Sequence, residues 1–170
     1  MTKIINLFAG PGAGKSTLAA GMFYEMKKQG KSVELVTEYA KDVVWEENHI
    51  QLEDQLFVTA NQNKRLWRLR GKVDYVINDS PLLLGIHYCR PSYFPNFYEK
   101  FVWELWDYYE NLNFFINRGE GFMDIGRIHK HQESIEIDNA IKDMLNFHFV
   151  PFTEVDQSQS PLDILEQGNV

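Results

Sequence analysis

The residues with the clearest chemical capacity lie near the amino terminus, where residues 9–17 read AGPGAGKST. An apolar run over residues 4–8 (IINLF) predicts a buried strand before this segment, and a helical pattern follows it. A strand, a glycine-rich turn, and a lysine and hydroxyl residues that open a helix form a Walker A phosphate loop. Glycines let backbone N–H groups converge on an anion at the helix N-terminus. We therefore expect a nucleoside triphosphate to bind at the loop residues Gly10, Pro11, Gly12, Ala13, Gly14, Lys15, Ser16 and Thr17.

Two side chains of this loop have expected roles. Lys15 is expected to reach the β- and γ-phosphates, and the Ser16 hydroxyl to ligate Mg²⁺, so ATP and Mg²⁺ are the expected cofactors. The loop departs from the consensus at Ala9, which stands where the first glycine is usual. An alanine fits there if its φ is negative, as it is in a strand.

Two acidic residues directly follow predicted strands. Glu38 follows SVELVT (32–37), and Asp79 follows DYVIN (74–78). Open parallel sheets bind their ligands at the carboxyl ends of the strands, so both acids are expected near the phosphate loop. We expect Asp79 to hold Mg²⁺ together with Ser16, and Glu38 to accept a proton from an attacking hydroxyl. The alternative for each acid is structural, as a helix N-cap or a first-turn carboxylate.

The elements that must position these residues alternate between strand and helix. Strands separated by helices pair in parallel through right-handed crossovers. This predicts a three-layer α/β P-loop NTPase fold with a five-stranded parallel sheet, helices on both faces and a short lid. Predicted strands cover residues 4–8, 32–37, 74–78, 112–116 and part of 147–155, and predicted helices cover 15–29, 38–46, 51–70, 96–111 and 132–147. We assign residues 1–156 to one domain and 157–170 to a polar tail with at most a short helix at 161–166.

Composition limits the class of protein. The 170 residues suit one domain, and shares of 44% hydrophobic and 24% charged residues are ordinary for a globular chain. The chain has no run of 18 apolar residues, and the lone Cys89 can form no internal disulfide. We therefore expect a cytoplasmic protein that does not enter a membrane. The net charge of −7 argues against indiscriminate nucleic-acid binding.

The second predicted strand leads into the motif EYAK at residues 38–41. Together with the phosphate loop, this motif resembles the small P-loop kinases that include the nicotinamide-riboside kinase domain, and deoxynucleoside kinases have a related layout. The resemblance implies that Glu38 is the base for a sugar hydroxyl and that Tyr39 lies at the acceptor site. It also implies that Gln55 or Gln62, on the next long helix, pairs with a nucleobase.

The same resemblance implies an arginine-bearing lid over the phosphates. Residues 117–131 lie between the fourth strand and the last long helix, and they contain three glycines together with Arg118 and Arg127. Guanidinium groups suit the spread charge of a transferring phosphoryl group, whereas the alternative is a solvated loop whose arginines form surface pairs. Deoxynucleoside kinases also carry acid-Arg-Ser after the third strand. Here Asp79 is followed directly by Ser80, so no contact of that arginine is transferred.

The expected function is ATP-dependent phosphoryl transfer to a hydroxyl or phosphate of a nucleoside, a nucleotide or a similar small acceptor. A second function, a kinase acting on a modified base or an end of DNA, is motivated by the basic cluster Lys64, Arg65, Arg68, Arg70 and Lys72, which is otherwise a solvated helix face. A nucleotide-dependent switch or assembly ATPase is the third. Against it, the chain lacks the long apolar strand ending in Asp-Glu that is typical of hydrolysing ATPases. The sequence leaves open the identity of the acceptor and whether the chain forms a homodimer.

Overall fold

The computed structural model of the protein describes residues 2–94, 96–119 and 131–170, without the side chain of His131. The strands are β1 (Lys3–Phe8), β2 (Val33–Val36), β3 (Tyr75–Asn78), β4 (Glu110–Asn117) and β5 (Thr153–Asp156). The helices are α1 (Lys15–Lys28), α2 (Tyr39–Trp45), α3 (His49–Glu53), α4 (Gln55–Trp67), α5 (Leu84–Tyr88), α6 (Tyr98–Trp106), α7 (His131–Phe147) and α8 (Pro161–Gln167).

Within the described residues, the five strands form one sheet in the order β2-β3-β1-β4-β5, and all neighbouring strands are parallel. Strand β1 is central, with Asn6 level with Asn78 of β3 and with Asn113 of β4. This confirms the predicted five-stranded parallel sheet. Because the strands run in one direction, the loops after Phe8, Val36 and Asn78 all leave from the same edge, which we call the carboxyl edge.

The sheet is buried on both faces, which confirms the three-layer arrangement. Ile4 and Phe8 belong to a core cluster with α4, α6 and α7, whereas Ile5 and Leu7 belong to a second cluster with α1 and α8. Successive side chains of a strand point to opposite faces, which explains this alternation along β1. Each of these four residues is at most 1% exposed. Parallel strands covered on both faces carry near-continuous apolar runs, as β1 does from Ile4 to Phe8 apart from Asn6.

The prediction of a single helix over residues 51–70 is wrong, because the chain breaks at Asp54 into α3 and α4. Asp54 is the N-cap of α4: its carboxylate accepts a hydrogen bond from the Phe57 N–H at 3.1 Å, and its φ of −80° and ψ of 84° are not helical. The Tyr93 hydroxyl donates to the same carboxylate, and these hydrogen bonds lower the pKa of Asp54, that of Tyr93 most. Tyr93 is 39 residues away in sequence, so the local apolar pattern does not reveal this cap.

The prediction of a helix over residues 96–111 is also wrong at its end. Helix α6 ends at Trp106, and β4 already begins at Glu110. Register gives the reason, because β1 pairs with β4 from the level of Lys3 and Glu110 onwards. The short helix α5 is an element that the sequence pattern does not predict. It lies five residues after Asp79 and brings Tyr88 towards the carboxyl edge.

The carboxyl-terminal segment contains the short helix that the sequence analysis allowed, α8. Ile164 and Leu165 of this helix are buried and belong to the same core cluster as α1. The segment therefore contributes to the packed core of the sheet. Among the described residues, we find no helix with the length and apolar character that a membrane span requires.

Candidate active site at the carboxyl edge

The phosphate loop connects β1 to α1. Gly12 and Gly14 have φ values of 81° and 88°, in the left-handed region that glycine adopts without strain. Lys15 Nζ donates to the carbonyl oxygens of Ala9 and Gly10 at 2.9 and 3.0 Å, so the ammonium group lies over the loop. Ala9 is not among the described residues with positive φ, which explains why an alanine fits at the position of the first consensus glycine.

The start of the loop packs against α7, and this contact requires a glycine at position 10. The Gly10 N–H donates to Asp138 Oδ1 at 2.5 Å. A Cβ atom on Gly10 would lie 2.7 Å from the carbonyl oxygen of Ser134 and 2.9 Å from Asp138 Oδ1, so a side chain would push α7 away. Asp138 is 128 residues away from Gly10 in sequence, and our sequence analysis did not identify it.

Of the two arginines predicted for the lid, Arg118 lies next to the phosphate loop. Its Nε donates to Asp138 Oδ2 at 2.9 Å, and its Nη2 donates to the carbonyl oxygen of Pro11 at 2.9 Å. The side chain is only 8% exposed, so the guanidinium group is part of the loop's packed surroundings. Arg127 and the rest of the predicted lid over 120–130 lie outside the described residues, and the lid stays a prediction.

Ser16 and Asp79, the two residues expected to hold a metal, are in contact. The Ser16 hydroxyl donates to Asp79 Oδ2 at 2.6 Å. Asp79 is 3% exposed, and its Oδ1 is buried with no hydrogen-bond partner among the described residues. Burial raises the pKa of Asp79, whereas the charge of Lys15, the hydrogen bond from Ser16 and the charge of Lys41 act in the opposite direction. A buried carboxylate oxygen without a partner is costly, so this atom is suited to a proton or a cation.

The donor atoms at this position fit Mg²⁺. This ion prefers oxygen ligands and is usually held by one or two carboxylates together with substrate phosphates and water. The described part of the chain contains no group of three His, Cys, Asp or Glu residues that could hold a metal ion by itself. The unpartnered Asp79 Oδ1 and the adjacent Ser16 hydroxyl are donors of the required kind, next to the loop where phosphates are expected.

The burial of Asp79 leads to a stability that depends on pH. Because its pKa is raised above 3.8 in the folded protein, the folded state favours the protonated carboxyl, and the free energy of unfolding should fall as the pH rises through the raised pKa. Asp79→Asn removes this loss. In EDTA, the variant should therefore gain stability relative to the wild type as the pH rises. The gain should be roughly 1.4 kcal/mol for each unit by which the pKa of Asp79 in the folded protein exceeds its pKa in the unfolded chain.

Thermal unfolding followed by circular dichroism, from about pH 4 to about pH 8, measures this difference. Asp107→Asn provides a control, because Asp107 is an exposed carboxylate at the end of α6. A stability difference between wild type and Asp79→Asn that stays constant over this range would contradict the expectation.

Glu38 stands at the start of α2, directly after β2. Its φ of −65° and ψ of 121° are extended, and among the described residues its side chain makes no capping hydrogen bond to α2. The structural alternative of a side-chain cap therefore does not describe this carboxylate. Tyr88 of α5 lies close enough to respond to it: burial raises the pKa of Tyr88, and the charges of Glu38 and Asp138 raise it further. Our sequence analysis did not single out Tyr88.

Tyr39, which the resemblance predicts at the acceptor site, is held by α4. The Arg65 guanidinium group lies over the Tyr39 ring, 5.1 Å from its centre, and the Phe57 ring is 5.9 Å away. Arg65 also donates to the carbonyl oxygen of Thr37 at 3.1 Å and forms an ion pair with Asp42. These contacts of Arg65 stabilise the start of α2.

The other end of the basic cluster lies far from the phosphate loop. The Arg70 guanidinium group contacts the rings of Trp67 and Tyr108, at 5.2 and 5.9 Å from their centres. Arg70 precedes β3 and Tyr108 precedes β4, so this group lies at the amino ends of the strands. A strand of six residues such as β1 spans about 20 Å. The cluster as a whole therefore does not form one basic surface beside the phosphate loop.

The two predicted base-pairing glutamines are both buried on α4, with Gln55 8% and Gln62 4% exposed. Gln55 Nε2 donates to the carbonyl oxygen of Leu52 at 2.9 Å. Gln62 Oε1 accepts from the Tyr39 N–H at 2.8 Å, and its Nε2 donates to Asn78 Oδ1 at 3.1 Å. The Gln62 amide is thus engaged within the protein, and base recognition by either glutamine stays a prediction.

The remaining loop residues lie where the motif places them. Ala13 is buried, whereas Ser16 and Thr17 are exposed in the first turn of α1.

Two further charged residues near the site had no assigned role in the sequence analysis. Lys41 carried a signal, since it is the last residue of the EYAK motif and is near enough to lower the pKa of Asp79. Asp138 had no such sequence signal, because the pattern shows only that it lies in a helix with an apolar face.

Comparison with known proteins identifies a family and a fold. A family model described as an AAA domain matches residues 4–160. Among solved structures, that of deoxyadenosine kinase from M. mycoides, with products dCMP and a flexible dCDP bound, covers 98% of this chain and 100% of that chain. The two chains are 15% identical with a TM-score of 0.58, which shows a common fold. No curated protein matches the chain.

Proposed function

The chain belongs to the AAA domain family, and we propose that it is an ATP-dependent phosphotransferase that acts on a hydroxyl or phosphate of a nucleoside, a nucleotide or a similar small acceptor. The order of groups along the carboxyl edge supports this activity best. Strand order places the phosphate loop after β1, Asp79 after the adjacent β3 and Glu38 after β2, one strand further on. Donor loop, metal-binding acid and candidate base thus form a row.

The spacing of this row suits phosphoryl transfer. Adjacent strands lie about 4.8 Å apart, so the turn with Glu38 is about 10 Å from the phosphate loop along the edge. This leaves room for an acceptor between the base and the loop, with Asp79 beside the transferring group. A site that only bound a nucleotide would not need a carboxylate on the far side of the metal-binding acid.

Each residue of the row then has a role in the transfer. Lys15 holds the β- and γ-phosphates of ATP, and the loop N–H groups orient them. Glu38 accepts the proton of the acceptor hydroxyl as the bond from its oxygen to the γ-phosphorus forms and the bond from that phosphorus to the bridging oxygen breaks, which releases ADP. Mg²⁺, held by Ser16 and Asp79, would supply positive charge at the phosphates. Arg118 adds charge beside Pro11, and Arg127 is proposed to add more from the lid.

The resemblance to the deoxynucleoside kinases supports a nucleoside or nucleotide as acceptor, with Tyr39 and Gln55 at its site. The test is to incubate the protein with Mg-ATP and a panel of nucleosides, nucleotides and oligonucleotides, and to look for phosphorylated products by mass spectrometry. A new product from a nucleoside or nucleotide is expected. Phosphate release without any acceptor would favour an assembly ATPase or switch, and a product from oligonucleotides alone would favour the DNA kinase. Cytoplasmic location and a homodimer stay predictions.

Substitution of Asp79 should distinguish a catalytic role of its carboxylate from a purely structural role in the turn after β3. Asp79→Asn keeps the shape of the side chain but removes its charge, and it should lower turnover by roughly 10²-fold, the scale of a lost electrostatic group. EDTA should abolish the turnover of the wild type. The same kinetic assay on Asp107→Asn provides the control. Full turnover by Asp79→Asn would assign Asp79 to its turn only.

A further inference from the structure

A chain of buried side-chain amides runs across the face of the sheet that α4 covers. Gln62 Nε2 donates to Asn78 Oδ1 at 3.1 Å, Asn78 Nδ2 donates to Asn6 Oδ1 at 2.9 Å, and Asn6 Nδ2 donates to Asn113 Oδ1 at 3.1 Å. Asn113 Nδ2 ends the chain on the carbonyl oxygen of Pro151 at 2.9 Å. Each of the four amides is at most 4% exposed.

The register of the sheet produces this chain. Asn6 of β1 is level with Asn78 of β3 and with Asn113 of β4. Side chains that are level on neighbouring parallel strands lie about 4.8 Å apart on the same face, so their amides are within hydrogen-bond reach. All donors point from α4 towards β5, which means that the orientation of each amide determines that of the next.

The first amide of the chain holds the backbone on both sides of Glu38. Gln62 Oε1 accepts from the Tyr39 N–H at 2.8 Å, and Gln62 Nε2 lies 3.3 Å from the carbonyl oxygen of Thr37. Thr37 and Tyr39 are the residues directly before and after Glu38. The Gln62 side chain thus forms hydrogen bonds with the backbone groups directly before and after the candidate base.

The second amide holds the turn at Asp79. Asn78 directly precedes Asp79, and its Oδ1 accepts from the Ser80 N–H at 3.4 Å as well as from Gln62. The pair Gln62–Asn78 therefore joins the two acid-bearing turns through one hydrogen bond between side chains. No group of this pair has to contact ATP or the acceptor for this connection.

We propose that Gln62 is a positioning residue for phosphoryl transfer, which sets the location of Glu38 relative to Asp79 through its bond to Asn78. This inference rests on the proposed function, in which Glu38 moves the proton and Asp79 holds the metal. Gln62 takes this role in place of base pairing. A displacement of about 1 Å in a reacting group can cost about 10²-fold in rate, so a single amide bond has a measurable effect.

Gln62→Glu tests the bond to Asn78. The glutamate keeps an acceptor for the Tyr39 N–H, but its carboxyl group cannot donate to Asn78 Oδ1 once it is ionised. Because burial raises the pKa of a carboxyl group, the comparison is made above that raised pKa. Turnover should fall about 10- to 100-fold, while the Kd of ATP stays within about threefold of the wild type. The deficit relative to the wild type should shrink towards acid pH, where the protonated carboxyl donates again.

Thr59→Val is the matched control. Thr59 lies on the same helix, and its substitution removes a different buried hydrogen bond, the one that joins it to the Tyr98 hydroxyl at 2.6 Å. This variant should lose stability, but its turnover relative to the wild type should be unchanged at all pH values. An equal loss of turnover in Thr59→Val and Gln62→Glu, or a deficit of Gln62→Glu that does not change with pH, would overturn the proposal.

Amide exchange provides a second readout that needs no acceptor. Gln62→Leu removes the acceptor of the Tyr39 N–H, whose exchange should become at least about tenfold faster, while Thr59→Val should leave it unchanged. Unchanged exchange in Gln62→Leu would overturn the proposal even if the protein proves to be a kinase. Faster exchange with no phosphorylated product from the wild type would instead refute the proposed function and leave the structural link between the two turns in place. If Gln62→Leu does not fold, the turnover and pH profile of Gln62→Glu decide.

Discussion

Lys15→Ala should lower phosphoryl transfer by about 10³-fold or more and leave the protein folded. The Lys15 ammonium group lies over the phosphate loop, bonded to the carbonyl oxygens of Ala9 and Gly10, and in the proposed function it holds the β- and γ-phosphates of the bound nucleotide. Its charge opposes the negative charge that develops during the transfer, so its loss raises the barrier. Single-turnover kinetics with the acceptor found in the panel measure the effect.

Lys27→Ala is the control for this substitution. Lys27 lies on the same helix, α1, and its Nζ forms a surface ion pair with Glu34 at 3.3 Å. Surface pairs of this kind contribute about 0–1 kcal/mol, so the control should change stability little and turnover not at all. The melting temperature of Lys15→Ala should stay close to that of the wild type. Unchanged turnover in Lys15→Ala would remove the phosphate-loop mechanism altogether.

The parts of this structure that the sequence predicts are those with a local cause. The phosphate loop combines a buried strand, glycines at left-handed φ and a helix start within fifteen residues of one another, and each has its own sequence pattern. The acids after β2 and β3 are predictable for a similar reason, since an apolar run that ends in a carboxylate marks the carboxyl edge of a parallel sheet.

The parts that the sequence does not predict depend on contacts between distant segments. Asp138 reaches Gly10 across 128 residues, and nothing in the pattern of α7 distinguishes it from a solvent-facing acid. The break at Asp54 depends on a hydroxyl from Tyr93, and a helical period continues through it.

The asparagines of the sheet are a mixed case. Asn6 interrupts the otherwise apolar run of β1, and Asn78 ends that of β3, so both are visible exceptions to the pattern of a buried strand. Their pairing becomes apparent only once the register is known, because register decides which side chains stand at the same level. An amide residue in an apolar strand is therefore visible in the sequence, but its hydrogen-bond partners are known only once the strand order and register are known.

Glu38→Gln should lower turnover by about 10²- to 10⁴-fold, the range for loss of a general base. The substitution keeps the size of the side chain and its capacity for hydrogen bonds, but an amide cannot take the proton of the acceptor hydroxyl. ATP should still bind with an unchanged Kd, because Glu38 is separated from the phosphate loop by the strand that carries Asp79. The rate of a single turnover and the Kd of ATP, measured side by side, therefore distinguish the base from a residue of the donor site.

Glu46→Gln controls for the loss of a charge on the same helix, since Glu46 is the exposed C-cap of α2. Its turnover should equal that of the wild type. If Glu38→Gln instead lost affinity for ATP and kept its turnover of bound substrate, Glu38 would belong to the donor site. The row of loop, metal-binding acid and base along the carboxyl edge would then be assigned in the wrong order, and another group facing the same space, such as Tyr88, would have to be tested as the acceptor-side residue.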